Sequence, residues 1–125
     1  MNPETRSIAE NRALTETETE FIGWLLEHGS ERARSFLLQI KNAWVTSRCG
    51  CGCASIDLSI DGVTHKGKAG IEILGDYCWY SSDGAYFGVF AFACNNLLAG
   101  IDLWSIDGQS TASEFPDVSL LTVLT

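Results

Sequence analysis

The sequence predicts an α+β fold, with an N-terminal helical hairpin packed on an antiparallel, largely meander β-sheet. Three observations carry this reading. Residues 15–44 place apolar side chains at helical spacing, and residues 55–124 form short alternating or apolar runs divided by turn signals. The change of period falls at Cys49-Gly50-Cys51-Gly52-Cys53, which concentrates three of the five cysteines. At 125 residues the chain suffices for one hydrophobic core.

Taken in order, residues 1–14 read as a flexible lead-in and 15–125 as a single domain. Thr15-Glu16-Thr17-Glu18 has the spacing of a capping box, in which Glu18 reaches back to the cap amide. Phe21, Trp24, Leu25 and His28 then share one helical face, and Gly29 suits the stop. Ser30 opens a second predicted helix with a stripe of Ala33, Phe36, Leu37, Ile40 and Trp44, while Glu31, Arg32, Arg34, Gln39 and Lys41 look outward. Two such helices joined by a short turn make a hairpin whose apolar faces need a sheet to cover.

The strands follow. Residues 55–60 alternate strictly, and Asp61-Gly62 marks a turn. Residues 63–69, basic through Lys66 and Lys68, read as a loop or weak edge strand. Residues 70–80 form a strand with Ile71, Ile73, Tyr77 and Trp79 on one face, and 85–94, apolar on both faces, suit a central strand. Residues 100–106 give a further strand, and the apolar tail at 118–124 suits an edge strand.

Charge narrows the function classes. The formal net charge is −8, and every Lys and Arg lies at or before Lys68. So few cations leave little to neutralise phosphates, which argues against nucleic-acid binding. No apolar run reaches the length of a membrane span, and no apolar leader opens the chain, so the expected location is the cytoplasm. A basic protein is the natural complement of the cation-free second half. Asp57, Glu72, Asp76, Asp102 and Asp107 make up the candidate acidic interaction surface of such a module, comparable to toxin-neutralising immunity proteins. No catalytic residue is nominated.

The cysteine segment admits three readings. As a metal site, Cys49, Cys51 and Cys53 supply soft ligands for zinc, with Cys78, Cys94, His28 or His65 to complete the shell, although one-residue spacing is tighter than an ordinary zinc knuckle. As a thiol site, a reactive cysteine needs a nearby cation, and Arg48, His65 and Lys66 are the candidates. As a structural junction, cysteine and glycine alternate to pack small side chains beneath a helix. The spacing favours this third reading, and with it an interaction module over a metal- or thiol-dependent protein. Parity discriminates: an unbroken strand from Cys49 puts the thiols on the face of Ser55, Asp57 and Ser59, and a bulge returns them to the core.

Two lesser features complete the reading. Asp57, Asp61, Asp102 and Asp107 would cluster if their strands were neighbours, though Asp61 and Asp107 already have turn positions before glycine. Trp24, Trp44, Trp79 and Trp104 are candidates to line a small-molecule pocket between helices and sheet.

The segment Arg48-Cys49-Gly50-Cys51-Gly52-Cys53-Ala54-Ser55-Ile56-Asp57-Leu58, together with Gly100-Ile101-Asp102-Leu103-Trp104 and Phe115-Pro116-Asp117, resembles a family of small uncharacterised bacterial proteins. There too a helical front is followed by a Gly- and Cys-rich segment with a Ser-x-Asp-Leu ending. The resemblance implies a family and no function.

Overall fold

A computed structural model describes residues 7–62 and 70–124. In chain order these form β1 (Ser7–Ala13), α1 (Glu16–Glu27), the short α2 (Glu31–Arg34), a 3-10 segment (Leu37–Asn42), β2 (Ala43–Cys49), β3 (Ile56–Ile60), β4 (Ile71–Tyr80), β5 (Tyr86–Cys94), β6 (Leu97–Ser105), a second 3-10 turn (Val118–Leu120) and β7 (Thr122–Val123). The strands make one antiparallel sheet in the order β1-β2-β3-β6-β5-β4-β7. The α+β class and the antiparallel sheet are as expected. The meander β4-β5-β6 meets the run β1-β2-β3, whose first connection carries the helices, where β3 pairs with β6 through Ile56–Ile101 and Asp57–Gly100.

Helix α1 begins where the sequence places it. Thr15 accepts from the Glu18 amide at 3.1 Å, and Glu18 accepts from the Thr15 amide at 2.9 Å. Phe21, Ile22, Leu25 and Leu26 are buried against Val45, Leu58, Val89, Ile101 and Leu103 in one core. Alternation sends Asp57, Phe90, Phe92, Asp102 and Trp104 to the opposite face of the sheet.

The helical hairpin needs correction. Its second arm is one turn of α-helix followed by a 3-10 segment, and Trp44 belongs to β2. Gln39 does not look outward: its amide donates to the Asn96 carbonyl at 3.0 Å and its carbonyl accepts from the Leu98 amide at 2.7 Å. That anchorage to the β5–β6 turn holds the chain in a tighter path than a helix, and Leu38 is left 78% exposed. Trp44 instead donates to Asn11 on β1 at 2.6 Å.

The flexible lead-in is corrected from Ser7 onward, where Ser7–Ala13 is an edge strand on β2; residues 1–6 lie outside the described residues. Charge fastens it: Glu10 receives Arg12 at 3.0 Å and Arg48 of β2 at 2.9 Å, and Arg12 forms a two-pronged pair with Glu18 of α1. The loop or weak strand expected at 63–69, with His65, Lys66 and Lys68, lies outside the described residues. Among those described, no helix is long and apolar enough to cross a membrane.

Candidate metal centre

The cysteine segment is the loop of the β2–β3 hairpin. It is closed by Cys49 N–H to Ser55 O at 3.2 Å and tied to the C-terminal region by Ala54 N–H to Ala112 O at 2.8 Å. Gly52 turns the loop with φ +99°, a left-handed conformation that favours glycine. The reversal folds the cysteines toward one another instead of spacing them along a strand. The Sγ atoms of Cys49, Cys51 and Cys53 all lie within 4.8 Å of one another. They are close enough to hold one metal ion.

The loop's own amides serve the sulfurs. Cys51 N–H donates to Cys49 Sγ and Cys53 N–H donates to Cys51 Sγ, both at 3.4 Å, and the Cys49 and Cys51 sulfurs are in contact at 2.7 Å. These contacts set two thiols apart. Burial, and then the hydrogen bond with Cys51, push the Cys49 thiol up to about 12. Burial acts in the same sense on Cys51, but hydrogen bonds from Cys49 and Cys53 outweigh it and hold Cys51 below the ordinary thiol range. Cys51 is also the exposed member of the trio.

Behind the loop lies a polar chain that crosses the sheet. Cys53 Sγ–H donates to Ser55 Oγ at 3.2 Å, and the Ser55 hydroxyl meets Asp102 Oδ1 at 2.8 Å while accepting from Leu103 N–H at 2.7 Å. Burial raises the Asp102 carboxyl above its usual range, with the charge of Asp57 adding to it and the Ser55 hydrogen bond opposing it. Asp57 accepts from Ser47 at 2.6 Å. Asp57 and Asp102 open with Ser55 on a hollow of about 250 Å³, walled by Phe90, Phe92 and Ile73.

The packing of small side chains beneath a helix expected for a structural junction is not found: Cys51 is exposed and Cys49 and Cys53 are half-buried on a hairpin loop, and Cys53 links to the serine–aspartate row. Of the proposed completing ligands, Cys78, Cys94 and His28 are elsewhere, and His65 lies outside the described residues. Cys78 and Cys94 are buried in β4 and β5, and His28 stacks on Trp24 at the end of α1. Among the described residues no other Cys, His, Asp or Glu joins the trio. Arg48, the cation expected to activate a thiol, points at Glu10.

The acidic residues are dispersed. Only Asp57 and Asp102 come together. Glu72 is paired with Arg32 at 2.8 Å, Asp76 shares the face of Asp102 but stands beyond Phe90 on β4, and Asp107 accepts from the Tyr86 and Gln109 amides in its turn. Asp61 occupies a left-handed turn position at φ 53°. Among the described residues the four tryptophans are not gathered together: Trp79 is buried, whereas Trp44 and Trp104 are exposed on different strands. The signal that sequence reasoning missed is Ser55, whose value lies in partners on β6.

No family model, curated protein or solved structure matches the chain.

Proposed function

We propose that this protein binds a thiophilic metal ion, zinc foremost, through Cys49, Cys51 and Cys53. The observation that carries the reading is the convergence of three sulfurs within 4.8 Å on a single hairpin loop. Thiolates are the preferred ligands of zinc and of other soft ions, and amide N–H groups directed at sulfur stabilise the deprotonated form. Cys51, already held toward its thiolate, is the natural first ligand. Three protein ligands leave a fourth position for water or an incoming donor, the arrangement of an open site and not of a closed structural one. Asp102 and Ser55 orient Cys53 from behind.

An acidic module for a basic protein has less in its favour, because its carboxylates are dispersed and several are already engaged. The discriminating experiment is elemental analysis of protein loaded with zinc under reducing conditions and desalted, read with thiol titration before and after chelation. About one zinc per chain, lost in Cys51→Ser, with three thiols gaining reactivity on chelation, is the expected result. Retention of zinc by the triple Cys→Ser variant, or no uptake by the parent, overturns it.

A further inference from the structure

Two sulfurs of the cysteine loop have a second chemistry open to them, one that needs no metal. Cys49 Sγ and Cys51 Sγ are 2.7 Å apart, about 0.7 Å longer than the S–S bond of a disulfide. A single glycine separates the two residues, and Cys51 N–H already donates to Cys49 Sγ, so the backbone between them is folded for a small ring. Cys51 is exposed, which lets a dissolved reagent reach its sulfur, and Cys49 is half-buried. Cys53 is the less available partner, because its thiol donates to Ser55 Oγ at 3.2 Å. The other two cysteines, Cys78 and Cys94, are buried in β4 and β5.

We propose that the loop is a thiol–disulfide exchange site, in which Cys51 takes up a small-molecule disulfide and Cys49 resolves it. In the first step Cys51, its proton released to solvent, attacks one sulfur of a dissolved disulfide such as oxidised glutathione. The bond from Cys51 to glutathione forms, the glutathione S–S bond breaks, and one glutathione thiolate leaves and takes a proton from water. Cys49 then loses its proton and attacks Cys51 Sγ. The Cys49–Cys51 bond forms, the mixed bond breaks, and the second glutathione thiolate leaves and is protonated. Two protein thiols are thus oxidised while one glutathione disulfide is reduced to two thiols, and excess reduced glutathione runs the steps backward. Held in contact with its target, Cys49 reacts within the molecule and so outpaces dissolved thiols. The closed disulfide removes two of the three thiolates, so oxidation and metal binding exclude one another. That exclusion rests on the metal site proposed above, whereas the disulfide itself does not.

The test equilibrates the metal-free intact chain, with chelator present and air excluded, in glutathione buffers of graded oxidised-to-reduced ratio. Samples are quenched in acid, alkylated and read by intact mass. The parent and Cys53→Ser are each expected to lose two thiols, to keep no glutathione mass, and to recover both thiols in excess reduced glutathione. Cys51→Ser, which leaves Cys49 with Cys53, should need a ratio about tenfold higher or more to close a disulfide. Thiols that stay reduced in the parent, equally ready closure in Cys51→Ser, a glutathione adduct that persists on Cys53→Ser, or linkage between chains in place of an internal bond would each overturn the proposal. In a parallel sample without chelator, zinc added beforehand should slow closure about tenfold or more. Closure at an unchanged rate there overturns the coupling to metal and leaves the disulfide standing.

Discussion

Ser55 and Asp102, 47 positions apart, meet hydroxyl to carboxylate at 2.8 Å across the junction of β3 and β6. The same hydroxyl accepts the Leu103 amide, so one side chain serves both the sheet and the cysteine loop. Replacing Ser55 by Ala leaves a buried N–H and a half-buried carboxylate short of a partner. We expect a loss of about 1–3 kcal/mol in urea unfolding, with Ser55→Thr retaining most of it. A Ser55→Ala variant as stable as the parent would refute this role.

The raised Asp102 carboxyl gives stability a sign that can be checked. A group whose folded pKa lies above its unfolded value of 3.8 favours the fold while protonated, and that favour is lost as pH rises through the folded pKa. Asp102→Asn keeps an acceptor for Ser55 but does not ionise. Relative to the parent it should gain stability as pH rises from acid to neutral, measured as denaturation midpoints across that range. A constant difference, or one that shrinks with rising pH, contradicts the assignment.

Thiol reactivity should follow the hydrogen bonds of the loop. In metal-free protein at mildly alkaline pH, iodoacetamide is expected to label Cys51 first and Cys49 last, since Cys49 is pushed up to about 12. Cys49→Ala removes a donor and should slow labelling of Cys51, read by mass spectrometry of tryptic peptides. Bound zinc should protect all three.

Arg12 joins the first strand to the helix cap through the buried Glu18. Arg12→Ala should cost about 1–2 kcal/mol, the range for hydrogen bonds to a charged group moderated by partial exposure. Its pH signature opposes that of Asp102. The Arg12 guanidinium holds the Glu18 carboxyl below its usual 4.5, so this stabilisation is present above that value and is lost as pH falls through the folded pKa. The variant should therefore approach the parent in stability at acid pH, and a penalty unchanged there would count against the pair.

Gly100 marks the tightest backbone approach in the centre of the sheet. A Cβ there would lie 2.5 Å from Ile56 O and 2.8 Å from the Phe92 ring. Gly100→Ala should destabilise by about 1–3 kcal/mol through overpacking, with amide exchange accelerated first at Ile56 and Asp57. Neutral thermal stability would show that the strands separate freely.

Strands β3 to β6 were legible because their apolar residues alternate or run between turns, as in Ile56-Asp57-Leu58-Ser59-Ile60. The first strand was not, because Ser7–Ala13 is largely exposed and fastened by Glu10 and Arg12, ion pairs that leave no hydrophobic period to read. The second helix failed for a related reason: Ala33, Phe36 and Ile40 have helical spacing, but Gln39 finds its partners beside Asn96, a contact invisible to local pattern. At the candidate site the cysteines themselves could be named from the sequence. Their convergence depends on the reversal at Gly52, and the support behind them on Ser55 meeting a strand almost fifty residues later.

Because the sheet joins local hairpins to two long-range pairings, β1 on β2 and β3 on β6, its assembly has an order. The β2–β3, β4–β5 and β5–β6 hairpins close over neighbouring segments, whereas seating β1 on β2 and β3 on β6 must bring together residues up to about forty or more positions apart. All three thiols of the loop belong to the earlier half and need only the β2–β3 turn to converge. During synthesis, when N-terminal segments emerge first, the ligand set is therefore on hand before Asp102 has been made. If the loop binds an ion as proposed, capture would precede completion of the sheet, and the later arrival of β6 would bury Ser55 and secure a loop already formed.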